Sequence, residues 1–81
     1  MGHTYVGVVV RWTAGGYGFA FNDEVNRRVF FHIRNWNSVR EPVVGDEVTF
    51  ELGPSHKPGG ADEAVNVTPT GLNAFAVKAG V

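Results

Sequence analysis

Apolar and polar positions alternate along this chain in short runs, punctuated by glycine, proline and asparagine. Tyr5 to Trp12 (YVGVVVRW) is rich in β-branched and aromatic residues and reads as a first strand. Thr13-Ala14-Gly15-Gly16 breaks it, and from Tyr17 to Phe21 (YGFAF) rings and small residues take turns with a period of two. Asn22 to Asn26 is a polar turn, and Arg27 to Ile33 (RRVFFHI) is a third strand. Residues 34–44 hold no periodic pattern, and Pro42 opposes a long helix there. Gly45-Asp46 marks a turn before a fourth strand, Glu47 to Leu52, which alternates with Val48, Phe50 and Leu52 inward. The stretch 53–60, with two prolines and three glycines, is a loop. Ala61 to Thr68 is a fifth strand whose core residues are Val65 and Val67, or Ala64.

Five short strands without an amphipathic helix predict an all-β, five-stranded antiparallel barrel. Closure of the sheet protects edges that a chain of 81 residues could hardly cover otherwise. The domain is expected over residues 1–68. The small, mildly apolar tail 69–81 is open to three readings: a short packed helix, an interaction segment, or a linker to a further domain.

Parity along the second and third strands separates two faces, because side chains i and i+2 point the same way. Val29, Phe31 and Ile33 form an unbroken apolar row suited to an interior. Phe30 and His32 form the other row, and a dry core accommodates its histidine poorly. Tyr17 and Phe19, with Phe21 at the strand end, are expected beside them, which turns Gly18 and Ala20 inward. The outcome is an exposed aromatic platform of Tyr17, Phe19, Phe30 and His32, with Trp12 at its edge. An exposed apolar patch of this kind implies a ligand. Flat rings on adjacent strands suit successive unstacked bases.

Charge changes this picture only by its distribution. The net charge is −1, but residues 1–40 carry five arginines (11, 27, 28, 34, 40) against Asp23 and Glu24, whereas residues 41–81 carry two lysines against six acids. The basic half is the half with the alternating rings, so arginines are available to meet phosphates. The chain has no cysteine, so neither a disulfide nor a thiolate metal site is expected. No apolar run is long enough to span a membrane and no secretory leader is visible, which makes a cytoplasmic location the default.

The stretches RWTAGGYGFAF and VFFHIR resemble the cold-shock domain family. GGYGF (Gly15 to Phe19) stands where that family has its first ribonucleoprotein motif, and VFFHI (Val29 to Ile33) where it has its second. PVVGDEVTFEL (Pro42 to Leu52) and AVNVT (Ala64 to Thr68) resemble the family's fourth and fifth strands, so the likeness covers residues 5–68. The resemblance implies an OB-fold barrel that binds single-stranded RNA or DNA. It implies base stacking by Trp12, Tyr17, Phe19, Phe30 and His32, with Arg11 in place of a lysine before the strand-one tryptophan. It extends the site to Arg34, to Trp36 in the loop after the third strand, and to Lys57, next to His56 in the fourth loop. For Trp36, a ring covering the open barrel end is an equal alternative.

Several positions depart from the family pattern. A platform phenylalanine is Thr13, the lysine of the first motif is Gly15, and the connection from Trp12 to Gly16 is two residues shorter. The last ring of the second motif is Ile33, and Arg28 occupies a position that is often aspartate. Fewer rings imply weaker binding than in a typical member, partly offset by Arg28 and Arg34. An RRM, which shares the ribonucleoprotein motifs, requires two helices and the reverse motif order.

An enzyme is not expected. His3, His32 and His56 share no metal-ligand spacing; Asp23-Glu24 is a turn pair and Asp46-Glu47 a strand-start pair, and adjacent carboxylates point to opposite faces of a strand. No phosphate loop or nucleophile elbow is present. The expectation is therefore a cofactor-free module for single-stranded RNA or DNA with low sequence specificity, acting as an RNA chaperone or regulator. The alternative is a small β-barrel protein–protein interaction module whose aromatic face and apolar tail dock a partner.

Overall fold

In a computed structural model, which describes residues 3–55 and 58–75, five antiparallel strands form one sheet. They are β1 (Tyr5–Trp12), β2 (Tyr17–Asn22), β3 (Arg27–His32), β4 (Asp46–Gly53) and β5 (Glu63–Asn73), in the spatial order β3-β2-β1-β4-β5. One turn of 3-10 helix, Ile33–Asn35, follows β3. The sheet curls until its two edges, β3 and β5, approach each other. Among the described residues no ladder joins those edges. A bridge between Trp36 and Val67, with the Asn37 N–H donating to the Val67 carbonyl at 2.7 Å, ties the segment after β3 to β5. The architecture is barrel-like and not closed.

The concave side holds the core: Val9, Ala20, Val29, Phe31, Trp36, Val48, Phe50, Ala64 and Val67 are all buried. Phe31 stacks with both Trp12 (ring centroids 5.6 Å apart) and Trp36 (6.1 Å), each nearly parallel to it. Burying a side chain such as Phe31 or Phe50 contributes about 1.5–3 kcal/mol.

Two polar residues fasten the loops. Buried Asn22 donates through Nδ2 to the Val6 carbonyl and accepts through Oδ1 from the Val25 N–H, each at 2.7 Å, so the β2–β3 turn is held against β1. Buried Asp46 accepts from Arg40 Nη1 (2.8 Å), the Val43 N–H (2.9 Å) and Asn73 Nδ2 (3.1 Å), which joins the long loop, β4 and the end of β5. Burial pushes the Asp46 carboxyl up. The hydrogen bonds from Arg40, Val43 and Asn73, with the Arg40 charge, outweigh that and hold it below its ordinary range.

Three expectations from the sequence are corrected. Ile33 is exposed and opens the 3-10 turn instead of ending the apolar row of β3; buried Trp36 fills the core beyond Phe31. In β5, Ala64 and Val67 are buried while Val65 is only half-buried. The cause is a bulge: Thr49 to Glu51 is two steps on β4 but Thr68 to Val65 is three on β5, with Asn66 in the left-handed region at φ 55. Finally, β5 runs on to Asn73, so residues 69–73, expected in the tail, belong to the sheet. Ala74 and Phe75 form a turn beyond it, and residues 76–81 lie outside the described residues.

Candidate functional site

β2 and β3 pair in unbroken register, with Tyr17 opposite His32, Phe19 opposite Phe30 and Phe21 opposite Arg28. Gly18, Ala20, Val29 and Phe31 occupy the buried face between them. The convex face therefore carries three successive cross-strand pairs. Tyr17 stacks on Phe30 with centroids 5.7 Å apart, Phe30 meets Phe19 edge-on at 5.9 Å, and Phe19 meets Tyr17 edge-on at 6.4 Å. Mutual contact leaves these rings only partly covered: Tyr17 is exposed, and Phe19, Phe30 and His32 are half-buried. Offset and edge-on contacts of this kind stiffen a group of rings while keeping faces open to a further planar group.

His32 is oriented by the turn that follows it. Its Nδ1 accepts the Arg34 backbone N–H at 3.1 Å, so in the neutral ring the proton sits on Nε2. The imidazole thus presents a donor on its remaining nitrogen.

A bulge decides which residues of β1 join this face. Val9 pairs with Ala20 and Arg11 with Phe19, two steps on β1 against one on β2, so Val10 is the extra residue. Strict alternation would put Arg11 inward with Val9. The bulge turns Arg11 outward beside Phe19 and turns Trp12 inward. Trp12, expected at the platform's edge, instead pairs with Gly18 and lies half-buried on Phe31, on the core side of the sheet. Trp36 is also removed from the platform. It is buried in the core and its Nε1–H donates to the Arg40 carbonyl at 2.6 Å, a position closer to the second of its two readings. Arg34 is exposed on the 3-10 turn just beyond His32. Lys57, with His56, lies outside the described residues.

Arginine surrounds the rings. Arg11, Tyr17, Phe19 and Arg28 line a shallow cleft of about 510 Å³. A second cleft of about 390 Å³ is lined by Arg27, Arg28, Phe30 and His32 of β3 and, on its acidic wall, by exposed Asp62 and buried Glu63 where β5 begins. Among the described residues, the Arg11 and Arg28 side chains make no ion pair or hydrogen bond. Arg28, which the sequence offers only as a partial offset for the missing rings, lines both clefts. The signal was available, since the parity that turns Phe30 and His32 outward also turns Arg28 outward. The acidic wall was not foreseeable, because it depends on how the fourth loop folds back over β3.

Compared with models of known protein families and with curated proteins, the chain matches none.

Proposed function

We propose that this chain is a single-strand nucleic-acid-binding module of the cold-shock type, its curled sheet an OB-fold barrel. One observation carries the reading: Tyr17, Phe19 and Phe30, in mutual contact on the convex face, have beside them Arg11 and Arg28, whose guanidinium groups lack protein partners among the described residues. Bases stack on the rings, each stack contributing about 1–3 kcal/mol, while arginines meet the backbone. Stacking tolerates every base, so specificity is low. Several weak contacts in series hold a strand unpaired and release it quickly, which is the behaviour of an RNA chaperone or regulator. The partner is single-stranded RNA or DNA, no cofactor takes part, and the setting is cytoplasmic. No helix of the described residues is long and apolar enough to cross a membrane.

The test is anisotropy of a labelled oligothymidylate, since both tryptophans lie off the platform and are poor reporters. Phe30→Ala and Phe19→Ala should each weaken binding about tenfold or more, with circular dichroism unchanged. Unchanged affinity in both variants removes the proposal. Exposed Leu72 and Phe75 favour a second reading, docking of a protein partner. Salt separates the two, because phosphate contacts make affinity fall steeply with ionic strength.

A further inference from the structure

The two clefts share two residues, Phe19 and Arg28. Arg28 pairs with Phe21 and shares the convex side of β3 with Phe30, so its guanidinium stands at the boundary between the clefts. From the register and standard strand spacings, the Cα atoms of Arg11 and Arg28 are about 12 Å apart, on the two strands flanking β2. Resting on the nucleic-acid reading above, we propose that Arg28 seats the phosphodiester linking two consecutive nucleotides, one in each cleft, and that Arg11 takes the neighbouring phosphate on the β1 side.

Three features of the site carry this. The Arg28 fork is unneutralised among the described residues, and its planar donors match a phosphate in two-point geometry. Phe19 supplies a stacking surface beside both clefts, so a strand that stacks there must carry its backbone across the boundary where Arg28 stands. The charge of the second cleft is polarised, with Arg27 and Arg28 contributed by β3 and exposed Asp62 by the segment leading into β5. Phosphate is repelled from the acidic wall, so the backbone keeps to the arginine side and the base turns toward β5. This orients the strand across the sheet, which stacking alone does not do.

The experiment measures binding of hexathymidylate over a range of salt for the wild type, Arg28→Gln and Arg28→Lys. A matching set of hexamers carries one uncharged methylphosphonate linkage at each position in turn. Arg28→Gln should bind several-fold more weakly, and its log-log salt slope should be shallower by about 0.7, the share of one single-strand phosphate. Arg28→Lys should restore the slope but not the full affinity. One linkage position should weaken wild-type binding when neutralised and have no further effect in Arg28→Gln. An unchanged salt slope in Arg28→Gln, or a linkage scan with the same profile in that variant and the wild type, overturns the clamp and leaves the stacking reading standing. Failure of the wild type to bind any hexamer at low salt overturns both.

Discussion

Gly18→Ala tests how closely the platform is backed by the strand behind it. Gly18 is buried in β2 and pairs with Trp12. A methyl group there would collide with the Arg11 carbonyl oxygen at a separation no real Cβ shows, and would stand 2.8 Å from Trp12 Cε3. The first obstacle is backbone of the partner strand, so no side-chain rotation relieves it. β1 and β2 must part locally, and overpacking of this kind costs about 1–3 kcal/mol. Loss of glycine freedom from the unfolded chain returns about 0.4–1 kcal/mol, leaving a net destabilisation of about 1–2 kcal/mol. For a domain of this size each kcal/mol lowers the melting temperature by about 4–8 °C, so a fall of roughly 5–15 °C is expected. Urea and thermal unfolding followed by circular dichroism measure it. Gly15→Ala is the control. Its tightest contact would be the exposed Tyr17 ring, at 3.3 Å, which can swing aside, with Thr13 Oγ1 at an ordinary 3.6 Å, so its stability should stay within about 0.5 kcal/mol of wild type. A Gly18→Ala protein as stable as the Gly15→Ala control would refute the close approach of β1 to β2.

Three further outcomes are expected. Because the folded-state Asp46 carboxyl titrates below its ordinary value of 3.8, its contribution to stability is complete above that value and is lost as pH falls through the folded one. Asp46→Asn should therefore lower the urea midpoint at neutral pH and flatten the acid limb; an acid limb identical to wild type contradicts the assignment. Trp36→Phe removes the hydrogen bond to the Arg40 carbonyl and should cost about 1–2 kcal/mol while leaving oligothymidylate affinity of the folded protein unchanged; a large affinity loss would return Trp36 to the binding surface. In ¹⁵N NMR of the neutral His32 ring, Nδ1 should be the unprotonated nitrogen; a predominantly Nδ1-protonated ring contradicts the bond from Arg34.

The outward direction of the ring-bearing row was legible in the sequence because, within an unbroken strand, side-chain direction follows from local backbone geometry. Tyr17 to Phe21 and Arg27 to His32 pair without a slip, so counting by two places every ring correctly and places Arg28 with them. The same count fails in β1 and β5. A bulge is a property of a pair of strands, and nothing in Val9-Val10-Arg11 alone announces that two steps there will face one step on β2. That mismatch sends Arg11 to the platform and Trp12 to the core.

Trp36 illustrates the other limit. Its residue type suits a stacking ring and a core plug equally, and the choice follows from the approach of β3 to β5, which leaves an opening an indole can fill. Strand number, the two faces of β2 and β3, and the segregation of arginine toward the rings were determined by the sequence, since each follows from residue type and short-range periodicity. Which arginines flank the platform, which tryptophans leave it, and where an acidic wall faces it were decided by strand pairing and sheet curvature, because those bring together residues far apart along the chain.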